Sequence, residues 1–77
     1  MKMMLRGGPH ADTELNGDDE DHKILRLWDD KPGYYHEYRQ GRWNAKTGHW
    51  EYQYAGKYSA LGRDPGHGGY FVPPAWL

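Results

Sequence analysis

The sequence predicts an all-β protein, a small antiparallel meander of four or five strands curled toward a barrel, with an extended C-terminal tail. Two observations carry this. Eight of the twelve aromatic side chains fall within residues 34–58, and Tyr and Trp favour pleated, half-buried surfaces. Trp50, Tyr52 and Tyr54 then share one parity while Glu51 and Gln53 take the other, the period of two expected of a strand with one covered face.

Residues 1–58 form the predicted β domain. Residues 2–6 read as a first strand closed by Gly7-Gly8-Pro9, since glycine supplies positive φ and proline cannot continue a ladder. Residues 11–15 are its partner, Asn16-Gly17 marks a turn, and Asp18-Asp19-Glu20-Asp21 makes a solvated loop. Residues 23–28 carry apolar side chains on both parities and read as the central strand. Residues 29–33, Asp-Asp-Lys-Pro-Gly, reverse the chain.

Two hairpin signals follow, Gln40-Gly41 and residues 44–48. If Gly41 is a bulge, residues 34–43 form one long strand pairing with residues 49–56. The predicted core is Leu25, Leu27 and Trp28 with Trp50, Tyr52 and Tyr54. Residues 59–69 read as a glycine-rich linker without periodicity, and residues 70–77 as an apolar, proline-stiffened docking tail.

At 77 residues the core is small, and with no cysteine no disulfide reinforces it. Association with other protein surface is therefore expected, including self-association. The lack of cysteine fits a reducing compartment. Residues 1–5 are too short for a secretory or membrane segment, so a soluble, unprocessed chain with no membrane partner is expected. Charge is uneven: residues 1–30 hold eight acids against four bases, and residues 31–63 hold two against six. Such separation can orient a partner or align copies head to tail.

No reaction is expected. The acids sit mainly in loops where water keeps them ordinary, Ser59 is the only serine, and so small a domain has little room for a deep pocket. No cofactor or metal is expected either, because neither His10 with Asp12 nor His36 with His49 has an established ligand spacing. Aromatics interleaved with Arg39, Arg42, Lys46 and Lys57 have the mixture that binds single-stranded nucleic acid, but the negative net charge and the acidic front oppose it. Protein binding is the stronger reading. Its contact residues are Tyr34, Tyr38, Arg39, Arg42 and Trp43 on the hairpin, and Tyr70, Phe71 and Trp76 on the tail.

Leu5-Arg6-Gly7-Gly8-Pro9 followed by Glu14-Leu15 resembles the start of small actinobacterial phage and prophage proteins, which open with a Leu-x-Gly-Gly-Pro-x-Asp-Gly pattern. Their tyrosine-rich closing hairpin is similar to residues 36–43 and 50–56 here. Ala11-Asp12 departs from the pattern's Asp-Gly, so its tight turn is shifted or widened. The resemblance implies a virion or assembly accessory, found in the virion or the host cytoplasm; the small core, the uneven charge and the stiff apolar tail suit a multi-copy protein whose tail docks on a neighbouring subunit. A host-directed inhibitor or lysis helper is the alternative role the resemblance allows. It carries over no catalytic residue.

Overall fold

The computed structural model describes residues 1–60 and 69–77. They form β1 (Lys2–Arg6), β2 (Glu14–Asn16), β3 (Ile24–Trp28), β4 (Tyr34–Asn44), β5 (His49–Ser59), β6 (Gly69–Phe71) and a closing 3-10 turn, Pro74–Trp76. All six strands belong to one sheet in the order β2-β1-β5-β4-β3-β6, curled into a half-barrel. The protein is all-β, as the sequence indicates.

β3, β4 and β5 are the antiparallel meander. The flanks differ from one: β1 pairs in parallel with β5, and β6 in parallel with β3. The front hairpin β1-β2 thus lies beside the last long strand, with Met3 opposite Trp50 and Leu5 opposite Tyr52. That placement enlarges the apolar face where a small domain most needs it.

Parity along each strand defines two faces. The inner face holds the fully buried Met3, Leu5, Leu15, Leu25, Tyr38 and Tyr52, with Leu27 and Val72 nearly so. Trp50 and Tyr54 pack against this cluster, as their spacing indicates. Trp28 does not join it. It shares the parity of Arg26 rather than of Leu25 and Leu27, so it emerges on the outer face, 52% exposed.

β4 and β5 stay in register through two bulges. Gln40 faces Tyr52 and Trp43 faces Trp50, which leaves one extra residue on β4. Glu37 faces Gly56 and Tyr38 faces Tyr54, which leaves one extra on β5. Gly41 sits in the first bulge, where an added Cβ would stand 2.9 Å from the Glu51 carbonyl oxygen. The long strand running through Gly41 is therefore the form adopted. In the turn after β1, Gly8 has φ of 65° and no room for a Cβ, which would meet the Tyr54 ring at 2.5 Å. Asp12 also takes a positive φ, 61°, a conformation that aspartate tolerates better than most side chains.

Residues 70–77 are not a free arm. The chain pairs with β3 through residues 69–71, and the Val72 N–H donates to the Arg26 carbonyl at 2.9 Å. The Tyr70 and Trp76 rings stack at 5.2 Å, and Tyr70 lies over His22 at 4.1 Å. The reason is apolar area: Val72 fills the inner face beside Leu25 and Leu27, and Trp76 in the closing 3-10 turn packs against the same cluster. The separate domain ending at residue 58 therefore gives way to a sheet that extends into the tail. Of the proposed linker, residues 61–68 lie outside the described residues.

Removing residues 69–77 should destabilise the fold by about 3–6 kcal/mol, taking roughly 1.5–3 kcal/mol for each large side chain whose burial is lost. Urea unfolding followed by circular dichroism measures this. An unchanged midpoint would show that the tail adds nothing to the core.

Candidate functional site

The outer face alternates with the core along every strand, and its centre is built from two glutamates, each between two arginines. Glu37 on β4 takes Arg39 (Nη2 to Oε2, 3.0 Å) and Arg26 on β3 (3.5 Å). Glu51 on β5 takes Arg6 on β1 (3.2 Å) and Arg42 beside the bulge (3.4 Å), and accepts the Asn44 amide at 3.2 Å. Both carboxylates are nearly buried, a position that carboxylates hold only when paired. Hydrogen bonds from Asn44 and then Arg6 hold Glu51 below the usual carboxylate pKa. Arg6 is raised in turn, first by Asp12, which accepts from its Nη1 at 2.8 Å, and then by Glu51.

Toward the other end of the same face lies an aromatic platform. The Trp28 and Phe71 rings stack at 4.3 Å with 9° between planes. Both stand edge-on to Tyr35, at 6.2 Å and 5.5 Å, and Tyr58 adjoins Tyr35 at 5.9 Å. The Arg26 guanidinium lies 5.2 Å from the Tyr35 ring centre. Stacked and edge-to-face geometries are those the ring quadrupoles favour, and a cation over a ring adds to them. The set is rigid below and open above, because Tyr35 is buried while Trp28 and Tyr58 are exposed.

The contact residues expected from sequence are dispersed by this architecture. Phe71, Arg39 and Arg42 reach the outer face. Tyr38 does not: it opposes Leu25 and Tyr54 on the inner face and is fully buried. Its hydroxyl donates to the Gly7 carbonyl at 2.8 Å and accepts the His10 N–H at 3.0 Å. Tyr70 and Trp76 are committed to the inner face, against His22. Tyr34 lies on the inner parity at the start of β4, with the Lys31 and Lys57 ammonium groups 4.9 Å and 5.2 Å from its ring. Trp43, 49% exposed, packs edge-on against Trp50 near the hairpin tip. A shallow recess of about 410 Å³ opens beside it between Arg42 and Lys46.

Comparison of the chain with protein-family models, curated proteins and solved structures gives no match.

Three polar groupings have no clear signature in the sequence. His36, buried on the inner face, bonds Asp29 Oδ1 through Nε2 at 2.7 Å and the Tyr54 hydroxyl through Nδ1 at 3.0 Å. In the neutral ring Nε2–H donates to the carboxylate and Nδ1 accepts from the phenol. His10 stands edge-on to His36 at 5.9 Å, and burial followed by the neighbouring His36 lowers its pKa. His10 also borders a small cavity of about 150 Å³ walled by Leu27, Trp28 and Val72. Asp18, Glu20 and His22 place three ligand-type atoms within 4.8 Å of one another, with His22 Nε2 2.9 Å from Asp18. These groupings arise from contacts across turns and loops, which residue spacing alone does not specify.

The hydrogen bond to His36, then the Lys31 N–H, lowers the Asp29 pKa from 3.8 to about 2. Asp29 therefore stabilises the fold fully above its unfolded pKa of 3.8, and that contribution is lost as pH falls toward about 2. Asp29→Asn should flatten the acid limb of a stability-versus-pH curve across this window and lower stability at neutral pH. Urea midpoints measured against pH decide it; a wild-type acid limb in the variant would remove the His36–Asp29 pair as its cause.

Proposed function

We propose that this protein is a non-enzymatic binding module that docks a protein partner on the aromatic platform of its outer sheet face. The observation that carries the reading is Trp28, half-exposed yet held flat against Phe71 over a buried Tyr35. A tryptophan fixed in this way loses little side-chain entropy on binding and offers a large apolar surface, the combination found at interface hot spots. Arg26, its guanidinium 5.2 Å from the Tyr35 ring centre and 5.9 Å from that of Phe71, supplies a polar border.

The tail anchors Tyr70 and Trp76 are used internally, so the docking element becomes the sheet face rather than the tail. The resemblance of the opening Leu-x-Gly-Gly-Pro stretch supports a phage origin, and with it a virion or assembly accessory role. A nucleic-acid partner is disfavoured because Tyr38 and Tyr52, two of the rings that would stack on bases, are fully buried, and the net charge of −1 with the acidic run of residues 18–21 opposes phosphate.

Trp28→Ser should leave the fold intact while reducing partner affinity about tenfold or more, as expected for a hot spot worth about 2 kcal/mol. Mass spectrometry of purified particles provides the test: wild-type chain present and Trp28→Ser chain depleted supports the reading. Equal incorporation of both contradicts it. Absence of the chain from particles together with growth arrest on expression alone would point instead to a host-directed factor.

A further inference from the structure

We infer that copies of this chain bind one another, the acidic loop at residues 18–21 of one copy seating against Arg39 and Arg42 on the outer face of the next. This contact is separate from the Trp28 platform and uses different residues.

The central clusters of the outer face set four guanidinium groups against Glu37, Glu51 and, on Arg6, Asp12, and so retain positive charge after internal pairing. The exposed member of each pair is the one on β4: the Arg39 side chain is 62% exposed and Arg42 86%. A guanidinium has five N–H donors in a planar fork, and the glutamate contacts leave Arg39 and Arg42 with donors facing water. A further carboxylate is the group that fits them.

The loop supplies such carboxylates on the opposite side of the sheet. Tyr52 donates its hydroxyl to the His22 carbonyl, Gln40 donates to Asp21 at 2.7 Å, and His22 stacks on Tyr70. Tyr52, Gln40 and Tyr70 all have inner-face parity, so the loop crosses the inner side level with Gln40. Arg39 is the next residue along β4 but points outward. One copy cannot bring its own loop to its own arginines, whereas stacking a second copy on the outer face does so with little sideways shift. Asp19 is fully exposed and meets only the N-terminal ammonium, at 3.8 Å, a long contact that leaves carboxylate oxygen facing water, and the Glu20 carboxylate has no hydrogen bond or ion pair among the described residues, so both can take an external guanidinium. A net charge of −1 leaves no long-range repulsion between copies. The contact joins two different surfaces, so it is heterologous and can propagate beyond a dimer.

Sedimentation velocity on the purified full chain tests this at sub-millimolar concentration, in about 20 mM and about 0.5 M salt, since screening should abolish a contact between exposed charges. The expected result is an apparent mass at least doubled at low salt and monomeric at high salt. Asp19→Lys with Glu20→Lys should remain monomeric in both, as should Arg39→Glu with Arg42→Glu, while an equimolar mixture of these two variants associates at low salt. If circular dichroism shows that the arginine reversal unfolds, Arg39→Gln with Arg42→Gln replaces it and should be monomeric. A wild-type monomer at low salt, salt-independent association, association of the loop variant as strong as wild type, or no association between two folded reversal variants would each overturn the inference. Trp28→Ser should self-associate normally, which separates this contact from the proposed partner platform.

Discussion

A buried phenol needs a hydrogen-bond partner for its hydroxyl, and in this chain that requirement ties the loops to the sheet. Tyr38 and Tyr52 are the two largest fully buried side chains. Neither hydroxyl is satisfied by its own strand: Tyr38 reaches Gly7 and His10 in the first turn, and Tyr52 reaches His22 at the end of the acidic loop. Tyr54 adds a bond to His36. An aliphatic core of equal volume would bury as much area but would leave those loops without anchors. Burial pushes Tyr52 up to about 12, so its hydroxyl stays protonated as a donor at neutral pH.

The outer face solves a different problem. A half-barrel this small cannot cover both sides of its sheet, and the uncovered side must remain wettable without being featureless. Glu37 and Glu51 accept arginines from neighbouring strands, so the pairs cross-link β3 to β4 and β1 to β5 while keeping the face polar. Exposed surface pairs are individually weak, but these carboxylates are nearly buried, and removing an arginine leaves a desolvated charge behind. The aromatic platform, the proposed contact surface, interrupts the charged pattern at only one end.

Much of the fold was legible in local sequence. The alternation of Trp50, Tyr52 and Tyr54, the long strand through Gly41, and the reversal at residues 29–33 all rest on short-range backbone preferences, and all are present. What was not legible depends on partners far away in the chain. Residues 23–28 are apolar on both parities, so nothing local assigns Trp28 to the outside. Tyr38 faces inward because its register opposite Leu25 on β3 and Tyr54 on β5 gives it their parity, a fact set across two strands. The parallel neighbours β1-β5 and β3-β6 have no turn between them to announce the pairing. Of the candidate contact residues, Arg39, Arg42 and Trp43 are exposed, Tyr34, Tyr70, Phe71 and Trp76 partly so, and Tyr38 alone is buried, but Trp28, the centre of the platform, was read as core.

The two bulges of the long hairpin lie on opposite strands, one at residues 41–42 of β4 and one at Ala55 of β5. Each absorbs its extra residue locally: residues 41 and 42 both stand opposite Glu51, so Gln40 and Trp43 keep the parity of Tyr52 and Trp50, and Ala55 is absorbed in the same way between Tyr54 and Gly56. Loss of the extra residue at either bulge would restore the ordinary alternation and leave the hairpin's sidedness intact. The same deletion elsewhere in the arm would slip the register and turn the segment beyond it inside out, exchanging buried and wetted side chains. Length variation in relatives should accordingly be confined to residues 41–42, to Ala55 and to residues 44–48 at the tip.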